Sequence, residues 1–211
     1  MSNENLLKTG TTTVGILLKD AVILAADKRA TAGNLIVGKN VRKVVPINDS
    51  MAVTTAGSVS DIQLLVKILR SEMKLKEVRS NRKVTVKEAA TFLSGMVYGN
   101  LRTTAGVSHF LFGGFDKKPH LYDIYPDGSI IDISEEEGIM ASGSGSVFAF
   151  GVLEDLYRKD MSHKEAVDLA NRAIHSALKR DSASGQGISI YLITKDGCEE
   201  VSNKKISEKL E

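Results

Sequence analysis

The chain has 211 residues, 42% of them hydrophobic and 26% charged, which is globular composition rather than that of a disordered or fibrous protein. Twenty-eight basic against 26 acidic side chains leave a net charge of +2, too small to point to nucleic acid from charge alone. No apolar run reaches the roughly 20 residues of a bilayer span. The single cysteine, Cys198, excludes an intrachain disulfide framework and a cysteine-rich zinc site, and His109, His120, His163 and His175 stand at no ligand spacing. The opening MSNENLLKTG lacks the basic head and long apolar stretch of a signal peptide, so a cytoplasmic location is expected.

Residues 1–10 are polar and read as an appendage. From Thr11 the chain turns β-branched and apolar to Leu18, turns at Lys19-Asp20, and runs apolar again from Ala21 to Ala26. Two such runs across a short turn predict a hairpin of buried strands. A second hairpin is expected from Val41–Ile47 and Met51–Ala56 across Asn48-Asp49-Ser50. The period then changes: Ile62, Leu65, Val66, Leu69 and Met73, with Lys67, Arg70, Glu72 and Lys74 between them, predict an amphipathic helix of about five turns. Thr85-Val86-Lys87-Glu88 has the form of a capping box opening a second helix, with Ala89, Phe92, Leu93, Met96 and Val97 as its apolar stripe.

Strands resume at His109–Phe115, and those over His120–Tyr125 and Ile130–Ile133 flank the turn Pro126-Asp127-Gly128. After Gly143-Ser144-Gly145 a helix carries Phe148, Val152, Leu153 and Leu156. Ser162-His163-Lys164-Glu165 is a second capping box, opening a helix that buries Ala166, Leu169, Ala173, Ile174 and Ala177. Ile188–Thr194 is the last strong strand, turned by Lys195-Asp196-Gly197, and residues 203–211 read as a charged, frayed end. Phe92, Met96, Phe148 and Phe150 read as core. This order (strands, two helices, strands, two helices, strand) predicts an α+β fold of largely antiparallel sheets, two of them stacked between two helical layers.

Thr11 is the first candidate for chemistry. A threonine hydroxyl is a weak nucleophile without an adjacent base, and a free α-amine on the same residue can be that base. This requires Thr11 to become the first residue of the mature chain, cut from Gly10, whose missing side chain lets a nucleophile approach its carbonyl. Taken alone, Thr11-Thr12-Thr13 reads more readily as ordinary strand sequence. Lys43, a charge inside Val41–Val45, would favour a deprotonated hydroxyl and amine if held near Thr11, and Asp27 would orient it as a buried partner. A solvated lysine and a surface carboxylate are the commoner readings of each alone. Ala56-Gly57-Ser58 joins a strand to a helix starting near Asp61, where backbone N–H groups are natural oxyanion donors, and a plain turn explains the same residues. Ser142–Ser146 lacks the lysine of a phosphate loop, and Phe148 occupies the last glycine position of a GxGxxG reading, so no nucleotide is expected. Arg180–Gly185 reads as a helix end with several hydroxyls beside one carboxylate.

The combination is more specific than its parts. Gly10-Thr11-Thr12-Thr13-Val14-Gly15, Ala26-Asp27-Lys28-Arg29-Ala30-Thr31, Lys43, Ala56-Gly57, Gly143-Ser144-Gly145-Ser146, Gly151-Val152-Leu153-Glu154 and Arg180-Asp181-Ser182-Ala183-Ser184-Gly185 follow in this order. From Gly10 to about Gly197 the chain resembles the β subunits of archaeal 20S proteasomes. The resemblance implies an N-terminal nucleophile hydrolase fold, a four-layer αββα sandwich, with residues 1–10 a propeptide lost by self-cleavage between Gly10 and Thr11 and residues 11–211 one catalytic domain. It implies Thr11 as nucleophile, Lys43 setting its electrostatics, Asp27 holding Lys43, and the Gly57 N–H as oxyanion donor. Ser144, Asp181 and Ser184 match positions that support the Thr11 amine and hydroxyl, and Thr31 matches one whose backbone pairs with extended substrate. By the same alignment Ala30, Val41, Val45, Thr55 and Val59 wall the primary pocket. They are small and mostly apolar, so apolar side chains are expected there, with no acid or base evident to select a charge. Asn100–Gly106 is less apolar than the family pattern.

The implied activity is hydrolysis of unfolded polypeptide by a threonine endopeptidase without metal or organic cofactor. The implied partners are α and other β subunits in four stacked seven-membered rings and an unfolding ATPase. A catalytically silent ring subunit is the alternative. Such subunits usually lose the Gly-Thr junction or the lysine, and this chain keeps both. A small-molecule amidase on the same fold is a third reading, since fold does not fix substrate.

Overall fold

A computed structural model describes residues 10–104, 106–133 and 138–205. The elements run β1 (Thr13–Leu17), β2 (Val22–Asp27), β3 (Ala30–Ala32), β4 (Leu35–Gly38), β5 (Val44–Asn48), β6 (Met51–Thr54), β7 (Ala56–Gly57), α1 (Val59–Ser80), α2 (Val86–Thr104) and β8 (Ser108–Phe115). They continue with β9 (Pro119–Ile124), β10 (Ile130–Asp132), β11 (Ile139–Ser142), α3 (Ser146–Leu156), α4 (His163–Leu178), β12 (Gly187–Thr194) and β13 (Gly197–Lys205).

Among the described residues two large antiparallel sheets form, one in the order β11-β1-β2-β12-β13 and the other β10-β9-β8-β6-β5, with β7 pairing β8, and β3 pairs β4 in a separate two-stranded sheet. The strands read as continuous apolar runs because both faces of each sheet are covered. In β2, Ile23 and Ala25 pack with Leu153, Leu169, Ala173 and Ile174 of α3 and α4. The alternate residues Val22, Leu24 and Ala26 meet Val44, Ala52, Leu111 and Leu121 of the other sheet. Phe110 and Phe112 of β8 face away from that interface, onto Leu65, Leu69, Ala89 and Leu93 of α1 and α2. The layer order is therefore αββα, as expected. Each fully buried aliphatic side chain in these layers contributes about 1.5–3 kcal/mol relative to exposure. Gly113 lets the sheets approach, since a Cβ there would meet Val22 and Leu24 at 2.9–3.2 Å.

Both capping boxes form. Ser162 Oγ accepts from Glu165 N at 3.3 Å while the Glu165 carboxylate accepts from Ser162 N at 2.8 Å, and Thr85 with Glu88 repeats the exchange. α1 runs for 22 residues, from Val59 rather than near Asp61, and stops where Asn81 turns left-handed at φ 49°.

Several expectations are corrected. The β3–β4 hairpin and β11 lie in short segments whose periodicity gave no strand. β13 was not expected either: residues 203–205 are paired, with Asn203 opposite Ser189, because the edge of β12 offers backbone partners to a charged sequence with one exposed face. Phe92 and Phe148 are 37% exposed and belong to no core, because their helices turn them away from the sheets. The remainder of the appendage, residues 1–9, and the end from 206 onward lie outside the described residues.

Candidate active site

Three chain segments bring the predicted residues together. Thr11 lies two residues before β1, Asp27 ends β2, and Lys43 immediately precedes β5. The hairpin register sets Thr13 opposite Ala26, so Thr12 lies beside Asp27. The Asp27 carboxylate is fully buried and takes four donors: Oδ1 accepts from Lys43 Nζ at 2.7 Å and Thr12 N at 3.0 Å, and Oδ2 from the Arg29 and Gly185 N–H groups, both at 3.0 Å. Burial on this scale is tolerable for a carboxylate only with such a complete set. Lys43 is 5% exposed. Burial pulls its pKa below the ordinary lysine range, against the opposing pull of the Asp27 charge and hydrogen bond.

Thr11 follows Gly10 directly in the sequence. Thr11 Oγ1 donates to the Gly10 carbonyl oxygen at 2.7 Å, and Lys43 Nζ donates to the same oxygen at 3.4 Å. The Gly10 N–H is held by Thr31 Oγ1 at 3.1 Å. A Cβ at Gly10 would overlap the Ala183 side chain, so only glycine fits here. Behind the threonine a run of hydroxyls converges on one carboxylate. The Thr11 N–H donates to Ser144 Oγ at 3.2 Å, and Ser144 Oγ donates to Asp181 Oδ2 at 2.7 Å. Ser184 Oγ donates to the same oxygen at 2.6 Å and lies 2.7 Å from Thr12 Oγ1. Asp181 and Ser184 thus connect to Thr11 through Ser144 and Thr12. Sequence reasoning passed over Thr12, and also Gly143, whose φ of +90° and lack of space for a Cβ beside the Thr11 carbonyl demand glycine.

A cleft of ≈ 930 Å³ opens in front of Thr11. Gly10, Thr11, Lys43 and Gly57 line it, as do all six predicted substrate-contact residues, Ala30, Thr31, Val41, Val45, Thr55 and Val59. Gly57 sits at the junction of β7 and α1 with φ +122°, where a Cβ would run into the Val107 carbonyl. Asp27, Ser144, Asp181 and Ser184 are not among the cleft's lining and stand behind the nucleophile. Four further basic residues do line it: Arg29, Arg42, Lys67 and Arg70. Their signal in the sequence was faint. Lys67 and Arg70 sit three apart, on one helical face with Gln63 and Val66, but read as an ordinary solvated stripe.

The fold, an αββα sandwich of antiparallel sheets, is of the N-terminal nucleophile hydrolase type. A family description, "Proteasome subunit", matches residues 7–193. "Proteasome subunit beta" of Methanosarcina barkeri is 48% identical over 93% of this chain and 91% of its own. The protein of the same name from Methanopyrus kandleri is 42% identical over the whole of both chains. "Proteasome subunit beta 2" of Pyrococcus abyssi is 44% identical over 93% of each. The chain belongs to the proteasome subunit family, and so is a proteasome core component that assembles with other such subunits. Among the described residues no helix is long and apolar enough to cross a membrane.

Proposed function

We propose that the chain is a catalytic β subunit, a threonine endopeptidase that is synthesised as a precursor and frees its own nucleophile. The observation that carries this reading is the contact of Thr11 Oγ1 with the Gly10 carbonyl at 2.7 Å, beside a buried Lys43–Asp27 pair. The Thr11 oxygen adds to the Gly10 carbonyl carbon and gives its proton to solvent water, which returns one to the leaving nitrogen, while the Lys43 ammonium stabilises the negative charge gathering on the Gly10 oxygen. The C–N bond then breaks, the Thr11 nitrogen takes up a proton, and Gly10 is left as an ester on Oγ1. Water hydrolyses that ester, releasing residues 1–10 with a Gly10 carboxylate and leaving Thr11 with a free amine.

The same atoms serve a peptide substrate. The free amine accepts the Thr11 hydroxyl proton, Oγ1 attacks the scissile carbonyl, and an acyl-ester forms and is hydrolysed. Gly57, lining the cleft beside Thr11, supplies the oxyanion donor from its backbone. Asp27 keeps Lys43 charged and oriented. Ser144, with Asp181 and Ser184 behind it, holds the Thr11 nitrogen and passes its protons. Thr31 pairs with an extended substrate, while Ala30, Val41, Val45, Thr55 and Val59 receive its side chain. The names of the relatives support assembly into a proteasome. Four stacked seven-membered rings, β inside α, fed by an unfolding ATPase in the cytoplasm, complete the reading and explain why unfolded polypeptide is the substrate.

Intact mass of the subunit after co-assembly with its α partner tests this. A mass of Thr11–Glu211 with peptidase activity that Thr11→Ala abolishes is expected. A mass of Met1–Glu211 from fully assembled particles would refute it in favour of a silent ring subunit.

A further inference from the structure

One pair of polar side chains lies outside the arrangement around Thr11. Asp123, on β9, is fully buried, and His109, at the second position of β8, donates from Nε2 to its Oδ1 at 2.6 Å. The other oxygen, Oδ2, has no hydrogen-bond partner among the described residues, so the bond to His109 is what makes burial of this carboxylate tolerable. The Tyr125 ring stacks on the imidazole, with centroids 5.0 Å apart and planes at 28°.

The place of the pair in the sheet gives it a mechanical task. The β8–β9 ladder ends with Phe110 opposite Ile124. Past that rung the Tyr125 N–H donates to the Ser129 carbonyl and the Tyr125 carbonyl accepts from Gly128 N, so the backbone there is committed to the turn before β10. Ser108 and His109 lie beyond the rung, and they are the two residues that pair with β7, Ser108 opposite Gly57 and His109 opposite Ala56. β7 is two residues long and among the described residues pairs only with β8. Ser58 N donates to the Val107 carbonyl at 3.0 Å, and a Cβ at Gly57 would run into that same oxygen. The Gly57 backbone therefore rests on residues 107–109, and these are tied to β9 by side chains, through the His109–Asp123 bond and the Tyr125 stack.

We infer that His109 is a positioning residue for peptide hydrolysis: its bond to Asp123 fixes the start of β8, and through it the Gly57 N–H assigned to the oxyanion. The inference rests on the proposed peptidase reading and adds a residue to it. An oxyanion donor works by being held in advance where charge will gather, and it loses effect once its support lets it drift by about 0.5 Å. His109 is not among the residues lining the cleft, so it acts on kcat and not on KM. Precursor self-cleavage is spared, because the Gly10 carbonyl oxygen takes its donors from Thr11 Oγ1 at 2.7 Å and Lys43 Nζ at 3.4 Å, both outside β7 and β8.

Assembled particles carrying His109→Leu, His109→Gln or Asp123→Asn test this, with intact mass for self-cleavage and a fluorogenic peptide with leucine at the cleaved position for hydrolysis. His109→Leu should lower kcat about tenfold, short of the 10²–10³ for losing such a donor outright, with KM and conversion to Thr11–Glu211 unchanged. His109→Gln, whose amide N–H can still reach the carboxylate, should recover most of that loss. Asp123→Asn, which keeps the shape and an accepting oxygen but not the charge, should fall between them. If His109→Leu does not assemble, the kcat of Asp123→Asn decides. A kcat within about twofold of the unaltered value, a loss carried by KM, or a parallel loss of kcat and conversion that glutamine does not restore overturns the inference and leaves the peptidase reading standing. Absence of Thr11-dependent cleavage by the unaltered particle overturns both.

Discussion

Replacing Asp27 by asparagine tests the whole catalytic arrangement through one atom pair. In the native site the carboxylate accepts four hydrogen bonds and faces Lys43 Nζ at 2.7 Å with no exposed surface. Asparagine keeps the shape but offers one oxygen. If that oxygen stays on Lys43 and the Thr12 N–H, the new NH₂ points at the Arg29 and Gly185 N–H groups, so donor meets donor twice. Each lost bond to a charged acceptor costs about 1.5–3 kcal/mol, and a buried ammonium left without its counter-charge about 3–5 kcal/mol. These costs overlap because they share one site. A total near 4 kcal/mol is expected, or a fall in Tm of about 10 °C for a chain of this size. The chemistry suffers separately. Without Asp27, Lys43 is drawn further toward its neutral form and loses its orientation, so stabilisation of the Gly10 oxyanion is lost, worth about 10²–10³ in rate. Intact-mass time courses of precursor conversion and thermal melts of the unprocessed subunit read the two effects independently. Conversion within about twofold of the unaltered rate, with an unchanged Tm, would show that the buried pair neither holds the site nor drives the cleavage.

Gly57→Ala should reduce peptide hydrolysis by about 10²–10³ and stability by about 1–3 kcal/mol, because φ +122° is strained for alanine and its Cβ would press on the Val107 carbonyl; steady-state kinetics and a denaturant melt check both. The alkaline limb of precursor conversion should begin at lower pH than an exposed lysine would allow, since burial lowers the Lys43 pKa. Stability moves the other way: between the folded and unfolded pKa values the unfolded chain binds more protons at Lys43, so this group's contribution to folding rises with pH there. Conversion rates and Tm measured from about pH 8 to 10, with Lys43→Met as the reference for Tm, test both signs. Cys198, whose thiol is pushed up to about 12 by burial and the nearby Asp49 and Glu199 charges, should resist iodoacetamide at about pH 8 in the folded subunit and react readily once unfolded, as mass spectrometry of the alkylated chain would report.

Much of this molecule is legible in one dimension. The αββα order follows from hydrophobic period, because a strand covered on both faces must be apolar throughout and a helix covered on one face only every third or fourth residue. Ser162–Glu165 and Thr85–Glu88 specify helix starts through contacts three residues apart, so no tertiary context is needed to find them. Gly10, Thr11, Lys43 and Asp27 were named from sequence, though as single residues each had a blander explanation. Their meeting is a tertiary fact: Asp27 and Lys43 are 16 positions apart and become an ion pair only when β2 and the approach to β5 are stacked. The same holds for Ser144 and Asp181, 37 positions apart, and for Thr12 and Ser184, 172 apart. Short strands such as β3, β4 and β11 and the charged β13 were hidden because pairing partners, not their own periodicity, make them strands. The cation-lined cleft was hidden for a related reason. Arg29, Arg42, Lys67 and Arg70 are dispersed through a sequence of nearly balanced charge, and only the folded chain sets the connection after β2, the approach to β5 and one face of α1 around one opening. Sequence period and local capping determine the layers because those forces act between near neighbours, whereas the site and its electrostatic sign arise between residues that only the folded chain makes adjacent.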